Sequence, residues 1–226
     1  MKILFVFSAL MIGHSLLFKT GLLAQSDVTS PSDPIIGGQM IGGVFVQATQ
    51  GTPVGNANMF PFDGKPSFAI DNDFTTSKYR NFGEINTGFI VTPTFGQTVV
   101  TSLRVWTGSN SPEWDPLTFT LEGTNGDPLT GLYSLIASGS AGVDIDPGRS
   151  EGGVVQTFST DSSRGGGFGS GFTSYRLIFP TVRNSGTADS MQVTEVQIRG
   201  VLAPEPTAFT LLGLSAIGLF GSRRRR

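Results

Sequence analysis

The segment SFAIDNDFTTSKYRNFG, Ser67 to Gly83, concentrates oxygen-bearing side chains. Asp71, Asp73 and Thr76 stand at i, i+2 and i+5, with Asn72 between the acids. Two readings fit that spacing. Carboxylates two apart in a turn can aim two oxygens at one point, and Ca2+ takes about six to eight oxygens from carboxylates, hydroxyls and carbonyls. The same side chains can instead close an Asx-turn by accepting local backbone N–H groups. The glycine and the closing glutamate of an EF-hand loop are missing here, which excludes that geometry.

A second set of residues suits ligand contact. Sugar sites stack aromatic rings on C–H faces and flank them with polar groups that fix orientation. Trp114 in SPEWDP, Tyr79 and Arg80 beside the acidic turn, and Phe168 and Phe172 in a glycine-rich stretch are the candidates. Trp106 shares strand parity with Arg104, opposite Leu103 and Val105, which suits packing in a second layer equally well.

The residues that are absent exclude several classes. There is no cysteine, and the single histidine, His14, lies in the N-terminal apolar segment. Zinc sites of the usual Cys/His kind cannot be built between the ends, nor can a Ser-His-Asp triad or a Cys-His pair. A two-carboxylate glycosidase stays formally open, but no pair of acids is singled out. Between residues 25 and 205 there are 9 Lys and Arg against 17 Asp and Glu, a net charge of −8. That balance argues against a nucleic-acid partner. No P-loop lysine follows the glycine-rich stretch Asp161–Gly171, so it is read as a loop, as is Asp144–Gly153.

The elements that must position these residues read as strands. Runs rich in Val, Ile, Thr and Phe alternate with Gly, Pro, Asn and Asp clusters. In LTFTLEGT, Leu117, Phe119 and Leu121 fall on one face and Thr118, Thr120 and Glu122 on the other. Further runs lie at 42–49, 87–93, 99–108, 133–138, 154–159, 174–180 and 191–202. About eight short antiparallel strands predict an all-β jelly-roll sandwich. Val193 and Val196 are three apart, so strand parity breaks between them, and a bulge there would re-aim Glu195.

Taken together, the Asp71 turn, LRVWTGSNSPEWDPLTFTLEGTN (Leu103–Asn125) and TEVQIRG (Thr194–Gly200) resemble the discoidin, or coagulation factor C-type, domain of the galactose-binding-like fold. The resemblance covers roughly residues 40–201. It implies a structural calcium ion held by the carbonyl of Phe68, Asp71, Asp73, Thr76 and Glu195. Many relatives in that family are carbohydrate-binding modules, which implies a binding module rather than an enzyme; the ligand candidates Tyr79, Arg80 and Trp114 rest on their own residue types. The family often has Asp-Gly where this chain has Asp71-Asn72, and Asn tolerates the left-handed conformation that such a turn needs.

The two ends read as addresses. Residues 1–25 carry Lys2, then a mostly apolar run from Ile3 to Phe18 and small residues near Ala24, the pattern of a secretory signal peptide. Residues 26–39, with TSPSDPIIGG, read as a flexible lead-in, and residues 40–202 as the sandwich. Residues 203–226 begin with Pro204-Glu205-Pro206, continue through the apolar run Ala208–Gly221 and end in Arg223, Arg224, Arg225 and Arg226. As a helix that run would span about 21 Å, against roughly 30 Å of bilayer hydrocarbon. The order of motif, apolar helix and arginine cluster resembles the PEP-CTERM sorting signal of Gram-negative bacteria. That resemblance implies processing by an exosortase-type membrane protease after transient tethering in the inner membrane. The expected protein is exported and non-catalytic, and binds extracellular polysaccharide in the envelope or matrix. The alternative is a structural or adhesion protein with no small-ligand site.

Overall fold

A computed structural model describes residues 25–52, 57–158 and 171–203. The expected signal segment, the sorting tail from Pro204 and Phe168 lie outside the described residues. Among the described residues fourteen strands follow one another: β1 (Ser26–Asp27), β2 (Ile35–Ile41), β3 (Val44–Gln47), β4 (Thr49–Gln50), β5 (Met59–Phe60), β6 (Tyr79–Asn81), β7 (Thr87–Val91), β8 (Thr98–Trp106), β9 (Thr118–Thr124), β10 (Ser134–Ser140), β11 (Gln156–Thr157), β12 (Ser174–Phe179), β13 (Met191–Val193) and β14 (Glu195–Leu202). Single 3-10 turns at Pro66–Ala69 and Pro112–Trp114 are the only helical elements among the described residues. The chain is an all-β sandwich.

One sheet orders its strands β1-β14-β8-β11, the other β10-β9-β12-β7-β2-β3. All pairings within both are antiparallel. Period-2 alternation makes the core. Phe119 and Leu121 on β9 and Tyr175, Leu177 and Phe179 on β12 meet Leu103 and Val105 on β8 and Val196 and Ile198 on β14. Thr118, Thr120 and Glu122 lie on the other side of β9, as the sequence predicts. A smaller cluster of Phe45, Ile90 and Ile178 sits on the outer face of the six-stranded sheet.

Residues 26–39 are not a free lead-in, because β1 joins one sheet and β2 the other. The glycines that look like loop signals are packing positions. A Cβ on Gly37 would strike Pro66 and the Tyr79 hydroxyl, and one on Gly38 would strike the Phe45 ring. Glycine inside a strand commonly marks such a close approach.

The parity break near Glu195 has a different cause from a bulge. Val193 pairs with Tyr79 in the short β13–β6 ladder, and Glu195 pairs with Trp106 in the four-stranded sheet. The chain changes partner at Thr194, whose hydroxyl donates to the carbonyl of Thr107 at 2.9 Å. The switch places Glu195 on the outer face of the four-stranded sheet, beside Trp106.

The sandwich has two distinct ends. β8 runs from Thr98 to Trp106, about 30 Å at the usual strand rise. Glu195 pairs with Trp106 at one end, and Leu202 pairs with Thr98 at the other. The Asp71 turn and Trp114 belong to the Trp106 end. The chain termini of the sandwich belong to the Thr98 end: Ser26 pairs with Gly200, and the Ala203 N–H donates to the carbonyl of Gln97 at 2.9 Å.

Candidate functional site

The Asp71 turn is closed by its own side chains. Asp71 accepts the Asp73 N–H at 2.9 Å and the Ser77 hydroxyl at 2.6 Å. Asp73 accepts the N–H groups of Thr75 and Thr76, each at 2.9 Å, and both threonine hydroxyls. Those bonds, the Thr76 hydroxyl first, hold the Asp73 carboxyl well below the usual carboxylate range. Asn72 occupies the left-handed region with φ 62°, where Asn is among the better tolerated residues. Phe74 anchors the turn to the sheet, its ring centroid 5.0 Å from that of Trp106.

Beneath the turn lies Glu195, 1% exposed. Its carboxylate accepts the Asn72 N–H at 2.9 Å, which ties the turn to the first residue of β14 across 123 positions of sequence. Burial pushes the Glu195 carboxyl up to about 8, with Asp71 and Asp27 adding to the rise and the Asn72 N–H opposing it. A buried carboxylate needs a proton or a cation, and the charged neighbours named here are acids.

The expected calcium ligands fall on different parts of this turn. Phe68 ends no strand but stands in the 3-10 turn Pro66–Ala69, one residue before the buried Ala69. Asp71 and Glu195 are brought together by Asn72. Asp73 and Thr76 bond to each other on the exposed side of the turn. Among the described residues no group of three or more acidic side chains is arranged to hold a metal ion. The part that fits is the half-buried Asp71 over the buried Glu195, a hard oxygen set of the kind calcium takes.

The aromatic candidates separate. Tyr79 is fully buried, its hydroxyl donating to the carbonyl of Gly88 at 2.9 Å. It offers no atom to a ligand. The turn residues around it predict a loop, whereas β6 carries it into the core. Arg80, the next residue, points the other way. Its guanidinium lies 4.0 Å from the Trp114 ring centroid and 4.6 Å from that of Phe82. Its Nε donates to the Ser190 hydroxyl at 2.9 Å, and one Nη pairs with Asp189 at 3.2 Å. Trp114 is half-buried at the end of the second 3-10 turn. Arg80 and Trp114 therefore form one stacked platform. Lys78 stands beside it, donating to Asn110 at 2.5 Å and Ser109 at 3.4 Å.

Three residues that sequence reasoning passes over build the platform's support. Asp115, buried, receives both Nη groups of Arg149 at 3.1 and 2.7 Å, and Arg149 also pairs with Asp146 at 2.6 Å. The pair pins residues 144–153, expected to be a loose loop, against the Trp114 turn. Gln192, also buried, donates to the carbonyls of Asn110 and Ser111 and shapes that turn from below. In sequence Asp115 and Arg149 are 34 apart, so no local pattern announces them. Trp106 is buried under the Arg104 guanidinium at 4.5 Å, which confirms their shared face and removes Trp106 from the surface. Phe172 packs against the core near Tyr175 at the opposite end of the sandwich.

A cleft of about 150 Å3 lies between the edge strands β10 and β11, lined by Phe119, Ser138, Gln156 and Phe158 among others. It is smaller than the roughly 300 Å3 at which ligand pockets begin.

Residues 202–226 match the model of the PEP-CTERM protein-sorting motif. No curated protein matches the sequence. Among solved structures, the chain is similar to the family 32 CBM from C. perfringens NanJ in complex with galactose, at 9% identity and a TM-score of 0.48, over 78% of this chain and 99% of that one. It is similar to a fucolectin from striped bass serum at 11% identity and a TM-score of 0.47, over 78% and 49% of the two chains. It is also similar to the lectin binding domain of Lectinolysin complexed with Lewis b, at 10% identity and a TM-score of 0.46, over 78% and 97%.

Proposed function

We propose that the chain is an exported carbohydrate-binding protein without catalytic activity, sorted by its C-terminal motif to the cell envelope or extracellular polysaccharide. The observation that carries the binding reading is the Arg80–Trp114 platform. A half-buried indole is stacked by the Arg80 guanidinium, which Asp189 and Ser190 hold in place, and Lys78 bonds Asn110 on the segment that leads to Trp114. An aromatic face with fixed polar neighbours is the arrangement that recognises sugar rings. The resident ion of this reading is calcium, taken by Asp71 and Glu195, and it would neutralise the buried carboxylate and hold the loop; Asp73, Thr76 and the Phe68 carbonyl, which the family resemblance adds, would join only if the turn opened, since Asp73 and Thr76 bond each other on its exposed side. The sorting reading rests on the match over residues 202–226, and its partner is a membrane protease of the exosortase type.

A glycan array probed with residues 25–203 tests the binding reading. Saturable binding is expected, reduced at least tenfold in Trp114→Ala, since truncating a central aromatic anchor costs about 2 kcal/mol or more and about 1.4 kcal/mol is tenfold. Circular dichroism should show both proteins equally folded. Silence across the array favours the alternative, a structural or adhesion protein of the matrix.

Sorting has its own test. Replacing Pro204, Glu205 and Pro206 with alanine should leave export intact and block removal of the tail. Mass spectrometry of the envelope fraction reads the outcome. A mature C-terminus unchanged by the replacement would sink the sorting reading.

A further inference from the structure

The Thr98 end of the sandwich differs in chemistry from the Trp106 end. Among the described residues it is formed by segments 92–97, 125–133 and 171–173 and by the end of β14 with Ala203; residues 159–170, which include Asp161 and Arg164, lie outside the described residues. Four large apolar side chains stand exposed there: Leu132 at 95%, Phe95 at 58%, Leu202 at 56% and Leu129 at 44%. Asp127 is the only charged residue in those segments. Its carboxylate is taken by the N–H groups of Leu129 and Thr130, at 2.9 and 2.8 Å, and by the Thr130 hydroxyl. The nearby Asp33 is buried and accepts from the N–H and hydroxyl of Thr94. The other end, by contrast, carries Lys78, Arg80, Glu113, Asp146, Arg149 and Asp189.

The chain leaves the sandwich from this apolar end. Ala203 is still bonded to Gln97, and the apolar run begins at Ala208. Only Pro204–Thr207 intervene, at most about 14 Å of extended chain. If the run enters a bilayer, so short a tether holds the end of the sandwich against the headgroup region, which is itself only several ångströms deep. Exposed apolar side chains, with Asp127 the one charge among the described segments there, are suited to that region, whereas a charged surface would have to be desolvated.

We propose that the end formed by Phe95, Leu129, Leu132 and Leu202 is a lipid-contacting face. It seats the sandwich on the membrane while the tail is in place and points the Arg80–Trp114 platform away from the bilayer. The inference rests on the sorting reading only for the tail's entry into the membrane.

The absence of cysteine makes site-specific labelling direct. The full chain is incorporated into phosphatidylcholine vesicles with a fluorophore at Leu132→Cys, or at Ser185→Cys in the exposed turn at the other end. Quenching by brominated acyl chains is expected to be several-fold stronger at position 132, and quenching by aqueous iodide correspondingly weaker. Adding Phe95→Asp and Leu129→Asp should remove the difference while the chain still floats with the vesicles. Equal quenching at both positions in floating chains overturns the lipid face and leaves the tail reading standing. Failure to float overturns both. A label shielded from iodide without vesicles and untouched by brominated lipid means that the tail or a second copy covers the face, and the proposal fails. Persistent lipid quenching in the double aspartate variant means that the tether alone sets the proximity, which also overturns it.

Discussion

Near pH 8 in EDTA, Glu195→Gln should be more stable than the parent sandwich, and in calcium the order should reverse. The parent's Glu195 carboxyl is raised from 4.5 to about 8 by burial first, then by Asp71 and Asp27. A folded-state pKa above the unfolded one means that the native state binds the extra proton. Stability is then full below about pH 4.5 and falls as pH rises towards 8. The shift corresponds to on the order of 4 kcal/mol across that window, or roughly 10 °C in midpoint for a domain of this size. The amide introduced by Glu195→Gln cannot ionise, so the metal-free variant should lose most of that slope.

Calcium inverts the argument. An ion beside Asp71 and Glu195 would supply the charge that the proton supplied, and would stabilise the native state by RT ln(1 + [L]/Kd), about 2.7 kcal/mol at one hundred times Kd. The parent should gain this and Glu195→Gln should lose most of it. Thermal unfolding at two pH values, with calcium and with EDTA, reads all of these outcomes. Equal midpoints with and without calcium would leave the Asx-turn as the whole explanation of the Asp71 segment. If Asp73→Asn abolishes the calcium response while Glu195→Gln retains it, the ion sits within the turn alone, and the last strand takes no part.

How much of this site can be read in advance depends on the range of each interaction. The alternation in LTFTLEGT places Phe119 and Leu121 in the core because a strand repeats every two residues, and the structure agrees. The shared face of Arg104 and Trp106 follows from the same rule. The Val193–Val196 parity break is visible in the sequence, but its cause is not. A bulge and a change of partner strand leave the same trace there, and only the pairing of Val193 with Tyr79 and of Glu195 with Trp106 separates them. Gly37 and Gly38 mislead for a related reason. Glycine favours loops by its backbone freedom, but here it clears space for Pro66, Tyr79 and Phe45. Tyr79 lies in a three-residue strand amid turn residues, too short for any period to show. The acidic turn itself is legible because its bonds span two to six residues; its link to Glu195 spans 123.

The largest single loss of stability at the platform should come from Asp115→Ala, about 3 kcal/mol. Asp115 has no exposed side-chain surface, and burial pushes its carboxyl up while Arg149, and more weakly Arg183, oppose the rise. Its oxygens take the Arg149 fork, the Gly108 N–H at 3.3 Å and, more distantly, Arg183 at 3.7 Å. Removing one partner of a buried pair costs roughly 3–5 kcal/mol, because the other charge loses its compensation. Here the lower figure applies, since Arg149 is partly exposed and keeps Asp146. Arg149→Ala should cost less again, because Arg183 remains near the carboxylate. Urea unfolding of the two single variants and the double variant gives the coupling, expected at about 2 kcal/mol. Added salt should change it less than it would a surface pair, since a partly buried pair is screened much less. The effect should also reach the candidate ligand surface. Asp115 directly follows Trp114, and the Arg183 N–H donates to the Asp115 carbonyl at 2.8 Å. If the pair fixes the Trp114 turn, Asp115→Ala should weaken glycan binding as well as stability, whereas a core truncation of equal cost, such as Leu121→Ala, should weaken stability alone. Equal binding losses in both variants would mean that the platform depends on the fold as a whole and that the Asp115–Arg149 pair has no special hold on it.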